Sequence, residues 1–597
     1  MKTIIYDIES DNLLLDTTTI HCIGVKVNDN ETQIYTSRPI SGSSGSINDC
    51  LCLLQSADIL VGHNVVKFDN AVIHKLYGED LFTTIKHFDT LIASQLRYPN
   101  MLLIDSNNKT LDPKLKGKHS LASWGQRLGY AKGDHNDWSC LSHEMMDYCK
   151  RDVDVTYKLY NKLKDEVPEE AMRLEQKFAY IIGRQEEYGV LFDVEAARKL
   201  HVELLKEQEE AIDNLYKTFK PLLLPNGSSK TPSKAFTRLG VTTVGEHQPI
   251  ALTTFNPKSG HHIVWWIEKL YGKQKWLLTD KGSPKTGEDD LLRMFEAKPW
   301  AKPLVHYLQV KKLLGQLAEG NNAWLVKVKE DNRIHGEVNT LGAVSRRCTH
   351  NNPNLAQVPS IRGYKGKECR ELFIVPKGKA IVGCDMSGLE LRIFAHYLAR
   401  YDKGAYAKVI LNEDIHTFNQ KAFGVPTRDT AKTTIYGVLY GAGSEKVGSI
   451  VGKDAKEGTK IKKNFEKNVP AYKSLITDVC NVVKTKGYLK AIDGNNFFIR
   501  SEHSALNTLL QGTGALLCKQ WCIITYDRLI ARGYKWIDNF AFILNIHDEF
   551  EIECDEDIAE EVALIAKTST TEAGEYFKLR IRIDGEAKIG KNWSDVH

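Results

Sequence analysis

No run of about 20 apolar residues occurs anywhere in the chain, so no transmembrane helix is expected. The first ten residues, MKTIIYDIES, reach acidic side chains too early for a secretory signal peptide, and a cytoplasmic protein is expected. Cysteine occurs twelve times but never as a CxxC pair. Cys50-Leu51-Cys52 alone makes no zinc site, so reduced and mostly buried thiols are expected. Neither sign of charge dominates: 80 Lys and Arg stand against 76 Asp and Glu, a net charge of +4. A polyanion-binding surface must therefore come from local concentration of charge. There is no internal repeat and no long low-complexity tract. What remains is a composition ordinary for a globular protein, 42% hydrophobic and 26% charged. At 597 residues the chain is too long for one core, and roughly three to five domains are expected.

Residues 1–165 mix strand-like runs (TIIYDIE, TIHCIGVKV, ADILVGH) with helical stretches, and an α/β domain fits. From 166 to 220 the sequence is charged and helical, broken at Tyr188-Gly189-Val190-Leu191-Phe192. A Pro/Gly/Ser/Thr-rich patch at 221–260 reads as loops or a linker. Helical periodicity returns at 300–330, after which strand-like pieces alternate with long helices.

Acidic residues recur at informative places. In YDIES, Asp7 and Glu9 lie two apart in a strand and project from one face. Asp69 follows the apolar strand ADILVGH. In DYCKRDVDVT, Tyr148 and Asp152 are four apart, hence on one helix face. Singly, each fragment also fits a solvated surface pair. Together, four carboxylates from separate elements can hold two divalent cations about 3.5–4 Å apart, a clamp for phosphodiester displacement. Carboxylate oxygens suit Mg²⁺ and Mn²⁺, and the lack of a Cys/His cluster argues against zinc.

The C-terminal half carries a second set. NIHDEFEIE, 545–553, sits between alternating segments and reads as a β-hairpin with one apolar face and His547-Asp548-Glu549 near its tip. Adjacent carboxylates at a tight bend need either water or a cation to screen them. AIVGCDMSGLELR runs as an apolar strand to Asp385 and then turns helical, where Asp385 could equally be a helix cap. In TRDTAKTTIYGVLYGAG, Arg428, Lys432, Tyr436 and Tyr440 recur every four residues as one helical stripe. Two cations followed by two aromatics suit a triphosphate and a base, although a plain amphipathic helix has the same spacing.

The N-terminal motifs resemble the 3′–5′ proofreading exonucleases of the DEDD superfamily, in the subtype with tyrosine in the third motif. The resemblance implies that Asp7, Glu9, Asp69 and Asp152 are metal ligands and that Tyr148 orients the attacking water; Asn64 and Phe68 fit the second motif and Asp154 is structural. The C-terminal motifs resemble motifs A, B and C of the family A DNA polymerases, and GLELR, IYGVLYGAG and NTLLQ have the character of replicative polymerases of short-tailed bacteriophages. The implied fold is a multidomain α/β chain, an RNase H-like exonuclease domain followed by a right-hand polymerase. The implied boundaries are 1–165 for the exonuclease, 166–340 for linker helices and thumb, 341–394 for the first part of the palm, 395–505 for fingers and 506–597 for the rest of the palm.

By this resemblance Asp385, Asp548 and the Met386 carbonyl hold two Mg²⁺ ions, with Mn²⁺ able to substitute, and two further ions serve the exonuclease. Glu549 is implied as an outer ligand or a tuning charge. His416, Arg428 and Lys432 would contact the triphosphate, with Lys432 placed to protonate pyrophosphate. Tyr436 would stack on the incoming nucleotide, and its hydroxyl implies weak discrimination against 2′,3′-dideoxynucleotides. Glu390 would crowd the 2′ position and reject ribonucleotides. Arg347 in GAVSRRCTHNNPNLAQVPS, Asn507 and Gln511 in HSALNTLLQGTGALLCKQW, and His547 are implied DNA contacts. Arg347 and Gln511 would read minor-groove acceptors of the terminal pair, which vary little with sequence.

The implied partners are primer–template DNA, dNTPs and a replicative helicase-primase, with the chain itself a monomer and no membrane involved. Residues 446–467 carry seven lysines against three acids, and with Lys311 and Lys312 they are candidates for phosphate contact or for a solvated helix face. With the exonuclease motif starting at Asp7, no upstream flap-nuclease domain is expected. Between Asp193 and Phe255 there is only a short Pro/Ser-broken stretch, so a thioredoxin clamp is not expected. The competing readings are a single-subunit RNA polymerase, against which Glu390 and the nuclease motifs count, and a non-catalytic DNA-binding protein built on decayed domains.

Overall fold

In the computed structural model, residues 1–597 are described except 131, 132, 134, 239, 240 and 280. The opening apolar runs form a six-stranded sheet from β1 (Thr3–Ser10), β2 (Ile20–Val27), β3 (Gln33–Thr36), β4 (Gly45–Ser46), β5 (Ile59–Gly62) and β6 (Lys86–Asp89). Their order is β4-β3-β2-β1-β5-β6, with β1 antiparallel to β2 and parallel to β5. Helix α1 (His143–Leu163) begins at Ser142, whose hydroxyl accepts from Met145 N–H, and packs on β1 and β2. Its close approach depends on Gly24, the cross-strand partner of Asp7. A Cβ at position 24 would lie 2.8 Å from Val153 Cγ2 and 3.0 Å from Cys149 Sγ.

The charged helical stretch divides at Gly189 (φ +69°), a conformation glycine adopts freely. Helix α2 (Glu169–Tyr188) before this break is buried along most of its length. It lies between the first sheet and the C-terminal half, accepting from the Asp89 N–H at Gln176 Oε1 (2.6 Å) and pairing Glu175 with Lys519 (2.6 Å). Both members of that ion pair are buried, at 0% and 2% side-chain exposure, and Lys519 Nζ also donates to the Thr340 carbonyl.

The motifs singled out in the C-terminal half fall on β7 (Lys379–Met386), α3 (Leu389–Asp402) and α4 (Arg428–Leu439). A hairpin of β8 (Tyr488–Lys490) and β9 (Asn496–Phe498) then leads into the long helix α5 (Ala505–Ala531). The closing elements are β10 (Phe540–Ile546), β11 (Glu549–Asp555), α6 (Ala559–Tyr576) and β12 (Gly585–Gly590). These strands form an antiparallel sheet of order β10-β11-β7-β12.

The hairpin expected around NIHDEFEIE is present, with His547 and Asp548 as its two-residue turn and His547 at φ +59°. Its one-sided polarity is not. All seven residues of β10 are buried, and Glu551 and Glu553 are 1% and 2% exposed. Trp521 of α5 covers Phe550 on one face (ring centroids 4.0 Å apart), while Tyr188 and Arg333 reach Glu553 on the other at 2.5 and 3.2 Å. A sheet covered on both sides cannot be told from its strand alternation alone.

The chain divides into two compact units, residues 1–191, 333–358 and 373–597 in one and 192–332 with 359–372 in the other. The stretch 166–340 is thus shared between them. In the first unit the main hydrophobic core runs from Ile4 of β1 to Ile583 beside β12, with a smaller cluster of Cys22, Ile34, Leu141 and Met145 beside it. The second unit is built on helices Val194–Thr218 and Ala301–Leu314 around Phe219, Phe255, Trp266 and Trp300. Instead of plain loops, 221–260 forms two antiparallel ribbons there, Leu222–Pro225 with Ile250–Thr253 and Phe236–Arg238 with Val241–Thr243. The apolar alternation in LLLP and IALT outweighs the turn-rich composition around it. No helix among the described residues is long and apolar enough to cross a membrane.

Candidate active sites

In the N-terminal domain the sequence-predicted residues come together. Asp7, Glu9, Asn64, Phe68, Asp69, Tyr148 and Asp152 all line one cleft of about 570 Å³. Period-two geometry on β1 delivers Asp7 and Glu9, and one turn of α1 delivers Tyr148 and Asp152. Asp69 opens the helix Asp69–Tyr77 and accepts the Ile8 N–H at 3.1 Å, which fixes it against β1. Its carboxyl is held well above the usual range, chiefly by burial. Ligand atoms of Asp7, Glu9 and Cys149 lie within 4.8 Å of one another. The Cys149 thiol is pushed far up, first by its hydrogen bond with Cys22 and then by burial, and it donates to the Asp7 carbonyl (3.6 Å). A neutral thiol leaves an all-oxygen donor set, which fits Mg²⁺ or Mn²⁺. Asp154 stands apart, bonded to Thr32 (2.8 Å) and Lys26 (3.3 Å).

Sequence reasoning missed Asp89. This buried carboxylate caps helix Thr90–Arg97 and accepts backbone N–H groups from Asn64 (3.0 Å), Val66 (3.2 Å), Leu91 (2.9 Å) and Ile92 (3.3 Å). It thereby shapes the turn presenting Asn64 (φ +65°) and Phe68, and burial raises its pKa to about 6. The cap signal was present in HFDTLIASQ, at a strand-to-helix junction. Lys118 and His119 also line the cleft, and no sequence pattern marks them.

In the C-terminal sheet Asp385 of β7 lies opposite Glu549 of β11 and Glu586 of β12. The Met386 N–H donates to the Asp548 carbonyl at 3.1 Å, locking the end of β7 to the hairpin turn. Burial, followed by repulsion from Glu549, raises Asp385 to about 6. Burial, followed by repulsion from Asp385 and Glu390, raises Asp548 to about 7. Gathering these acids costs electrostatic energy that an oxygen-seeking cation would relieve, so the residues fit Mg²⁺. A smaller cavity of about 140 Å³ beside them is lined by Asp385, Glu549, Glu551, Glu586, Lys588 and His597. His597 Nε2 lies 3.0 Å from Glu549. Glu586 and His597 carried no recognisable signal in the sequence.

Helices α3 and α4 bring the nucleotide-site candidates over this sheet. Glu390, in the first turn of α3, accepts from the Tyr440 hydroxyl (2.9 Å) and pairs with Arg347 (3.4 Å). Thr427 caps α4, which carries exposed Arg428 and Lys432 and then half-buried Tyr436. The Tyr436 ring lies 6.3 Å from Tyr440 and 6.5 Å from His416. Burial, then the charges of Glu390, Asp548 and Asp385, raise the Tyr436 hydroxyl to about 12. Burial, then Arg428 and Lys432, lower His416 and keep it neutral. Arg428 is gripped by Asp414 through two bonds of 2.5 and 3.1 Å, a partner sequence reading missed although Asp414 also caps the helix Ile415–Phe423.

Asn507 and Gln511 lie one turn apart on α5, both half-buried. His547 is exposed, 6.2 Å from the His350 ring. The lysine run occupies helices Ser444–Ile450 and Ala455–Asn468, where Lys462 donates to the Ala442 carbonyl (3.2 Å) and Lys460 pairs with Glu457 (3.4 Å). In the second unit Lys312 pairs with Glu288 at 2.8 Å.

Comparison with known proteins agrees with both halves. Residues 1–168 match the family model described as 3′-5′ exonuclease, and residues 234–595 that described as DNA polymerase family A. The chain is 34% identical to a DNA-directed DNA polymerase of Enterobacteria phage T3, with 100% of both chains covered. It is likewise 34% identical to one of Escherichia phage T7, again over 100% of each. A solved structure, the POL domain of Pol1 from M. smegmatis in complex with DNA primer-template and dNTP, has the same fold with a TM-score of 0.78 at 17% identity, covering 99% of this chain and 95% of that one. The chain belongs to the family A DNA polymerases and carries an N-terminal 3′–5′ exonuclease domain.

Proposed function

We propose that the chain extends a primer 3′-hydroxyl with deoxynucleoside triphosphates at the Asp385–Asp548 site and trims mispaired 3′ ends in the cleft around Asp7 and Asp69. One observation carries this most: Tyr436, on the helix that presents Arg428 and Lys432, lies within electrostatic reach of Asp385, Asp548 and Glu390 together. Cations for a triphosphate, a ring for a base and acids for metal ions thus face one space.

Family A polymerases and their 3′–5′ exonuclease domains are metal-dependent. Asp385, Asp548 and the Met386 carbonyl would hold two Mg²⁺ ions, and Asp7, Glu9, Asp69 and Asp152 two more. When bound, such ions supply the positive charge that phosphoryl transfer needs at the attacking and leaving oxygens. The chain's own groups do the rest. Arg428 exchanges its bidentate contact with Asp414 for the triphosphate, and neutral His416 adds a hydrogen bond. Lys432, exposed one turn further, is placed to give a proton to the departing pyrophosphate. Tyr436 keeps its proton and can donate it at the sugar, while Glu390, held by Tyr440 and Arg347, occupies the space of a 2′-hydroxyl. Arg347 and Gln511 donate to minor-groove acceptors of the terminal base pair, with Asn507 and His547 against the DNA strands. In the nuclease cleft Tyr148 orients water.

The chain works as a monomer in the cytoplasm of the host cell, on primed template DNA, with a replicative helicase-primase as its candidate partner. Domain limits follow the same reading: nuclease to 165, linker helices and thumb to 340, palm to 394 and from 506, fingers between. Primer extension in Mg²⁺ tests it directly. With dNTPs a primed DNA template is lengthened; without them the primer shortens. Robust extension from rNTPs alone, or unaltered extension by Asp385→Asn, would refute the assignment.

A further inference from the structure

Arg346 occupies an unusual position. Its backbone is left-handed (φ +60°), a conformation that costs a non-glycine residue, yet its side chain is buried. The guanidinium pairs with the buried Asp493 carboxylate in the bend of the β8–β9 hairpin. It also lies over the Phe497 ring, 5.3 Å from the centroid. Phe497 is fully buried and presses on Gly512 of α5, where a Cβ would fall 2.5 Å from its ring carbons. The far side of the hairpin is fixed as well: Asp493 accepts the Asn495 N–H (3.1 Å), and Asn495 Nδ2 donates to the Leu96 carbonyl (3.3 Å).

The two residues flanked by this stack are Arg347 and Gln511. We infer that Asp493, Arg346, Phe497 and Gly512 form a brace that positions Arg347 and Gln511 together, so that both donors meet the minor groove of the primer terminus in register. The inference rests on the proposed minor-groove role of that pair. The four brace residues are positioning residues and touch no substrate. The arrangement needs an arginine here although a glycine would relieve the backbone: only a long cation reaches both Asp493 and Phe497. A spring-loaded donor would tolerate a mispair; a braced one rejects a terminus whose acceptors are displaced by an ångström or so.

The test measures kcat/KM for extending matched and mismatched primer ends, in an Asp7→Ala background that removes trimming. Arg346→Gly is expected to lower the matched-to-mismatched ratio roughly tenfold, by slowing matched extension, and Arg346→Lys to restore part of it. The double variant Arg346→Met/Asp493→Asn leaves no buried lone charge, keeps most of the buried volume, and is expected to show the same loss while melting near the parent temperature. Arg347→Ala should lower the ratio too, and adding Arg346→Gly to it should change the ratio less than about twofold, since both act through one contact. If Arg347→Ala lowers the ratio and neither Arg346 variant does, the brace is overturned and the minor-groove reading stands. If Arg347→Ala leaves the ratio unchanged, the minor-groove reading falls and the brace falls with it.

Discussion

The nuclease cleft and the pocket of the polymerase domain collect carboxylates by opposite routes. In the nuclease, Asp7, Glu9, Asp69 and Asp152 come from elements within about one domain's length of chain, and each is set by a local device: strand period, helix start or helix turn. In the polymerase domain, Asp385 meets Asp548, Glu549 and Glu586 across more than a hundred residues of intervening chain. The nuclease site can therefore be completed by its own domain, whereas the polymerase site depends on long-range register. Both nevertheless lean on α2, which is buried between them.

That contrast can be broken by substitutions on each side. The largest effects belong to the acids themselves. Asp385→Asn or Asp548→Asn should cut primer extension by roughly 10³-fold or more while leaving 3′-end trimming intact. Asp7→Asn should do the reverse, and an assay of both activities on each protein would expose any crossover. The shared support comes next. Lys519→Met strands Glu175 without its partner and should cost about 3–5 kcal/mol, read as a lower unfolding midpoint with both activities impaired. Gly24→Val is smaller and one-sided. Pushing α1 away from β2 should cost about 1–3 kcal/mol and depress trimming, with extension unaffected in a heat-free assay. Smallest is Tyr440→Phe, which removes a hydrogen bond from Glu390 and should raise ribonucleotide incorporation by roughly tenfold or less, measured from competing rNTP and dNTP.

The two sites were unequally legible in the sequence. Spacing by two found Asp7 and Glu9, and spacing by four found Tyr148 with Asp152 and Arg428 with Lys432 and Tyr436, because those contacts are local in the chain. Three strands of the N-terminal α/β domain and the 547–548 turn were legible for the same reason. Asp89, Asp414 and Glu586 were not, since each acts on partners that only tertiary folding brings near. Glu551 and Glu553 misled: alternation placed them on a wet face, but Tyr188 and Arg333 cover that face from distant parts of the chain. The Arg346–Asp493 pair lay beyond any local pattern, with 146 residues between its members.

The uninterrupted core that runs through α2 fixes the span between builder and editor. Neither site can swing toward the other without tearing a buried lysine from its glutamate. The traveller must be the nucleic acid: a frayed primer end has to unwind far enough to bridge a gap whose length is set by the protein. With that span held, the ease of melting the primer end decides when a mistake is removed.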